Sequence, residues 1–262
     1  MIGDAVRELV RDDAGMHADR LAQRVAEHVR ERLDARRAEV TIAARFPERR
    51  PAPVSGRPTQ EISTLSGTAV ASRRGTRRLV GVSAQGMTTS PYAQHVLTAR
   101  ARERLAAGGF SADRIDRIVE AVPVATHSQL SVGALHLGCP EDRALEFDVA
   151  VLLEVVQAAM ASEIFELLKR PDEAAVVERA HRRPRFVEDC VRATIAGLLE
   201  RLAGLPDDVF VFAAQENIET IHGHDVIAER AGLVGDLRRE LATGEEVARQ
   251  TSMREWLEAA AR

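Results

Sequence analysis

The 262-residue sequence predicts an α+β protein. Strand-like runs are segregated from helical ones instead of alternating with them, which argues against a doubly wound parallel sheet. No glycine-rich loop of the P-loop or dinucleotide type is present, so the nucleotide-binding α/β folds lose their usual signature. Hydrophobic residues make up 45% of the chain but aromatics only 3%, so the core must be built mainly from Val, Leu, Ile and Ala.

Each element follows from local pattern. Residues 2–36 carry apolar positions at helical spacing (Val6, Leu9, Val10, then Leu21, Val25, Val29, Leu33), and Gly15 breaks the run into two helices. Strands are expected over 39–46, 61–71 and 77–84, and the proline-rich stretch 51–58 between the first two can only be a loop. Ser90-Pro91 is helix-start chemistry, a hydroxyl cap followed by proline at the first helical position. The helix then runs over 92–107 and closes at Gly108-Gly109. Ser111 starts a further short helix.

The second half opens near Val122. Residues 124–137 read as a strand interrupted at Gly133. Residues 148–162 form a helix that is apolar nearly all round and therefore buried. Helical stretches at 172–181 and 186–202 are separated by Pro184. A strand at 209–214, a polar cluster, a strand at 225–229 and helical segments at 233–241 and 245–261 complete the chain. The two halves share a plan, and the expected modules are 1–115 and 116–262.

Composition narrows the function. A formal net charge of −4 gives no global case for nucleic acid or an anionic membrane. Arginine pairs such as Arg73-Arg74 and Arg182-Arg183 read as solvated faces. Two cysteines, Cys139 and Cys190, make no disulfide framework and fit a reducing cytoplasm. No apolar run approaches a membrane span, and no signal-peptide core is present. The expectation is a soluble cytoplasmic protein.

Four islands carry chemistry. The polar cluster from Gln215 to Asp225 holds carboxylates and imidazoles unsuited to a hydrophobic core and suited to acid–base or metal-assisted work. In an extended strand, Asn217 and Glu219 would share one face, and a bend at Gly223 would bring Glu219 and His222 around one pocket. It could equally be a solvated strand end. The other islands are Gly86-Met87-Thr88-Thr89-Ser90-Pro91-Tyr92-Ala93-Gln94, Thr126-His127-Ser128-Gln129, and Lys169-Arg170-Pro171-Asp172-Glu173 running on to Phe186-Val187-Glu188-Asp189. Each has an ordinary reading as well, as a capping turn, a hydrogen-bonded strand histidine or a charged first helical turn.

In order and wording, these islands resemble the prokaryotic type IB GTP cyclohydrolases and their archaeal counterparts, over about residues 39–229. The resemblance implies a tunnelling fold with two tandem modules of antiparallel sheet, helices layered on one face. It also implies a homo-oligomer, typically a tetramer, with sites between subunits. The implied reaction opens the guanine imidazole ring of GTP at C8 and releases formate, giving a dihydroneopterin phosphate for pterin or folate biosynthesis.

Roles carry over by position. His127 stands where the family has a metal-binding histidine, and Glu173 matches a carboxylate metal ligand. Glu188 matches the glutamate that grips the guanine or pterin edge. Glu219 and His222 match an acidic residue and a histidine beside the reacting base. Gln129, Tyr92, Lys169 and Arg170 complete the candidate substrate contacts, and the triphosphate would fall to a basic residue among Lys169, Arg170 and Arg192. Ser90 departs from the pattern, since the family has a metal-binding cysteine there, and Leu130 replaces an arginine. A serine hydroxyl is not ionised at neutral pH and is a poorer ligand than a thiolate. Two outcomes are compatible with that change. A divalent ion is held by a harder set, favouring iron(II) or manganese over zinc. Otherwise the metal is lost, leaving a purine- or pterin-binding protein or an enzyme with altered chemistry on a modified purine nucleotide.

Overall fold

A computed structural model describes residues 18–139, 148–245, 247 and 250–259. The elements are helix α1 (Ala18–Arg32), strands β1 (Arg37–Pro51), β2 (Pro58–Ser72) and β3 (Gly75–Thr89), helices α2 (Pro91–Ala107) and α3 (Ala112–Ala121), and strand β4 (Ser128–Cys139). There follow α4 (Val149–Ala159), β5 (Ser162–Glu163), α5 (Arg170–Arg182), α6 (Val187–Arg201), β6 (Phe210–Ile218), β7 (Val226–Leu233), α7 (Val234–Thr243) and α8 (Met253–Glu258). The strands form one antiparallel seven-stranded sheet in the order β1-β2-β3-β4-β6-β7, with β5 pairing with β3. The architecture is therefore α+β, as the segregated pattern predicts. Among the described residues no helix is long and apolar enough to cross a membrane.

Strand alternation decides which side is core. Leu65, Val82, Leu135 and Val211 point to one face, where they pack with Leu152, Val156, Ile195 and Leu198 of α4 and α6. Helix α1 covers the same face farther along, with Ala22 and Ala26 against Ala69 and Ala71. The approach there is so close that a Cβ at Gly67 would overlap the backbone of Ala18 and Asp19. On the opposite face, Trp256 and Leu257 of α8 cover Val70, Leu79 and Phe210, and Trp256 stacks on Phe210 at 5.3 Å between ring centroids.

Several strands run longer than their local pattern. β1 continues through Pro47 to Pro51, whose missing N–H groups are tolerated because β1 is a sheet edge. Residues 52–57 make the turn, so the expected loop is shorter by its two end prolines. β6 extends from Ala214 through Gln215, Glu216 and Asn217. Gln215 and Asn217 are 1% and 3% exposed, yet each is satisfied in a polar chain. Thr88 Oγ1 lies 2.8 Å from Ser131 Oγ, Ser131 donates to Asn217 Oδ1 at 2.8 Å, and Gln215 Nε2 donates to the same oxygen at 3.4 Å. A buried polar strand is stable when its groups are paired in this way.

Other elements are shorter than expected. β4 begins at Ser128, because the carbonyls of Val124 and Thr126 are taken by side chains instead of a neighbouring strand. α4 stops at Ala159, where Ser162 and Glu163 turn to pair with β3. The last helix spans only Met253–Glu258, started by Ser252, which accepts from the Glu255 amide while the Glu255 carboxylate accepts from the Ser252 amide. The expected helices over residues 2–17 lie outside the described residues.

Candidate functional site

One end of the sheet gathers half of the candidate residues: Ser90, His127, Gln129, Glu219 and His222. There β3 ends, β4 begins and β6 ends, because Thr89 pairs with Ser128 and Leu130 with Ile218. The Ser90 amide donates to the His127 carbonyl at 3.2 Å, and Thr220 Oγ1 donates to the Ser128 carbonyl at 3.2 Å. Gln129, buried in the strand, donates from Nε2 to Glu219 Oε1 at 3.3 Å. The turn at 219–225 is drawn in by the Glu219 amide, which donates to Asp225 Oδ1 at 3.0 Å. The His127 and His222 rings then stand edge to face, 6.4 Å apart, and His222 stacks on His224 at 5.5 Å.

This cluster has unused capacity. His127 Nδ1, Gln129 Oε1 and Glu219 Oε2 are buried and have no hydrogen-bond partner among the described residues. Buried polar atoms are rarely left that way, since each costs about 1–3 kcal/mol unpaired. Three such atoms at one strand end suit a polar guest. An imidazole nitrogen and a carboxylate oxygen also suit a divalent cation. Ser90, by contrast, already uses its Oγ as the N-cap of α2, accepting from the Ala93 amide at 3.3 Å.

Of the remaining candidates, Glu173, Arg170 and Glu188 line two grooves. Glu173 and Arg170 line an open groove of about 670 Å³ with Ala125, Val177 and His181, next to the segment that bears His127. Lys169 precedes this helix and its amide donates to Asp172 Oδ2 at 3.0 Å. Glu188 is exposed in the first turn of α6 and lines a second groove of about 530 Å³. Arg192 shares that groove, over an apolar floor of Val191, Ile195 and Leu237. Tyr92 is 72% exposed at the start of α2. Among the described residues of one chain, no three His, Cys, Asp or Glu side chains converge as a metal cluster.

Two features escaped sequence reasoning. Asp172 reads as a favourable first-turn charge, but it is fully buried and accepts four hydrogen bonds: from the Val54 and Ser55 amides, Ser55 Oγ and the Lys169 amide. Burial alone would raise its pKa. The donors from Ser55, Lys169 and Val54 outweigh that and hold the carboxyl at about 2. The residue therefore clamps the 52–57 turn to the helix that carries Glu173. Only its place beside Ser55 across the fold reveals this. Gln94, four residues past Ser90, donates from Nε2 to both the Val124 and the His181 carbonyls. Cys190 behaves as the core residue expected, since burial pushes its thiol up to about 12.

Comparison with known proteins places the chain in a family. The family described as type I GTP cyclohydrolase folE2 matches residues 5–228. The GTP cyclohydrolase MptA of Methanocaldococcus jannaschii is 36% identical over 215 residues, covering 80% of this chain and 68% of that protein. The MptA of Methanosarcina mazei is 34% identical over 249 residues, covering 91% and 77% respectively. Among solved structures, the uricase from Arthrobacter globiformis aligns at 10% identity over 88% of this chain and 74% of that one. Its TM-score of 0.45 is too distant to add to the fold description. The family match spans most of the chain and both relatives are more than 30% identical over most of it, and the chain belongs to the type I GTP cyclohydrolase folE2 family.

Proposed function

We propose that this chain is a GTP cyclohydrolase that opens the guanine imidazole ring at C8 and releases formate, leaving a dihydroneopterin phosphate. The observation that carries the reading is the set of unpaired, buried His127 Nδ1, Glu219 Oε2 and Gln129 Oε1 at the sheet end facing His222. Family membership supplies the substrate class.

The residues divide the work. Glu188 offers a carboxylate acceptor for the two N–H donors of the guanine amidine edge, in a groove whose apolar floor can cover the ring. Lys169 and Arg170 stand at the start of α5 to neutralise phosphate charge. Glu219 takes a proton from the attacking water, and Gln129 holds that carboxylate in place through its 3.3 Å bond. His222 is the acid that protonates the departing nitrogen as each of the two C8–N bonds breaks. One water is consumed at each, so that C8 leaves as formate and the freed diamine can then close to the pterin with loss of one water. His127 and Glu173, with Ser90 or water, would hold a divalent cation (iron(II), manganese or zinc). When bound, such an ion supplies the Lewis acidity that makes water nucleophilic near neutral pH. The two expected modules, 1–115 and 116–262, a homotetramer with sites completed between subunits, and a cytoplasmic place in pterin or folate biosynthesis belong to the same reading.

The test is direct. Chelated protein is reloaded with iron(II), manganese or zinc and incubated with GTP. Formate and pterin fluorescence are expected with at least one metal, and Glu188→Ala should lose GTP binding. No formate at any loading, together with no metal uptake, overturns the assignment in favour of a metal-free purine- or pterin-binding protein.

A further inference from the structure

Helix α2 poses a mechanical problem. It runs for 17 residues and buries none of them, so packing along its length cannot fix it to the body of the protein. A helix of this size is marginal without tertiary support. Along its length it meets α3, where Arg102 Nη1 donates to Asp116 Oδ1 at 2.6 Å. Its hydrogen bonds to the sheet end and α5 lie at its N-terminal end, where Ser90 caps it and Gln94 sits in the next turn.

Gln94 reaches two carbonyls at once. Its Nε2 donates to Val124 O at 2.9 Å and to His181 O at 2.5 Å. Both partners are acceptors, so only an amino group with two N–H bonds can serve them, and the amide orientation is settled by chemistry. Val124 lies three residues before His127, in the irregular segment before β4. His181 lies in the last turn of α5, about two turns beyond Glu173. The same junction is tied by Thr89 Oγ1, which donates to the Ala180 carbonyl at 2.9 Å, and by the His181 ring, whose Nε2 is 3.2 Å from Thr126 O. The segment bearing His127 thus has no strand neighbour before Ser128. It hangs on the Ser90 amide, which donates to the His127 carbonyl, and otherwise on side chains, with Gln94 at the crossing.

We infer that Gln94 is a positioning residue, locking the segment that bears His127 to the helix that bears Glu173. This rests on the cyclohydrolase reading above for its consequence in catalysis, though not for the lock itself. Gln94 touches neither substrate nor reacting atoms in this role. Its loss should misplace His127 relative to Glu173 while leaving Glu188, on another helix, free to hold the base.

The experiment compares wild type with Gln94→Met, which keeps length and removes both donors, and Gln94→Lys, whose ammonium restores them. Amide hydrogen exchange over residues 125–129 is expected to be at least about tenfold faster in Gln94→Met. GTP turnover should fall about a hundredfold in kcat with KM within about threefold. Gln94→Lys should recover part of both. Exchange at 125–129 unchanged in Gln94→Met overturns the lock, whether or not any form turns over GTP. Faster exchange with wild-type kcat overturns the positioning role. Wild-type protein without turnover refutes the proposed reaction, and the exchange result still decides the lock. Should Gln94→Met fail to fold, Gln94→Ala, which admits water to both carbonyls, carries the same comparison.

Discussion

Gln129 and Glu219, ninety residues apart in sequence, meet side chain to side chain at 3.3 Å where β4 begins and β6 ends. The bond uses one oxygen of the carboxylate and leaves the other buried and unpaired. A carboxylate held on one side and open on the other is suited to accept a proton from a guest.

Glu219→Gln keeps the shape and the contact but removes the base. The expected result is a kcat lower by roughly 10²–10⁴-fold with little change in KM for GTP. Formate release under saturating GTP measures it, and a variant with wild-type kcat would remove Glu219 from the proton path.

Ser90→Cys supplies the thiol that the motif resemblance implies at this position. Metal retained after dialysis, read by elemental analysis, should rise above wild type, with zinc gaining most. The same change weakens the α2 cap, at about 1 kcal/mol. A stability loss without any gain in bound metal would show that position 90 does not face the ion.

Asp172 links pH to stability from the acid side. Its ordinary pKa of 3.8 is drawn down to about 2 by the Ser55, Lys169 and Val54 donors, against the opposing effect of burial. The stabilisation is therefore complete above about pH 4 and is lost as pH falls toward 2. Asp172→Asn should lower Tm at pH 7 by roughly 4–8 °C, and the gap between variant and wild type should close by pH 2. Thermal melts across that range check both. A gap independent of pH would mean that the charge is not what holds the turn.

His136 acts in a second window. Burial against Phe212, beside Ser66 Oγ at 3.4 Å, lowers its pKa from 6.5 to about 4. The folded state carries the neutral ring while the unfolded chain binds a proton below 6.5. Stability from this site is thus full above pH 6.5 and declines toward pH 4, by up to about 1.4 kcal/mol per pH unit. His136→Gln should flatten urea midpoints between pH 6.5 and 4.5. Gly81→Ala, whose Cβ would overlap the His136 ring, should destabilise by about 1–3 kcal/mol at all pH values.

Helix starts were legible because they are local. Ser90-Pro91, Ser111 and Asp148 each stand where the chain begins a helix, and capping depends only on neighbours in sequence. Strand lengths were less so. Gln215 and Asn217 look like loop residues until Ser131 and Thr88 arrive from β4 and β3 to pair them. Residues 124–127 look like strand until Gln94 and His181 claim their carbonyls.

The side-chain types needed for acid–base chemistry, the α+β class and the order of the motifs reside in the linear chain, because periodicity and capping act over a few residues. Which of those groups share a site is a long-range matter. His127 and His222 face each other only because the antiparallel register of β4 and β6 brings residue 130 opposite residue 218. Burial then leaves Glu219 and His127 with unpaired atoms that no spacing in the sequence could disclose, since a group's solvation depends on everything packed around it.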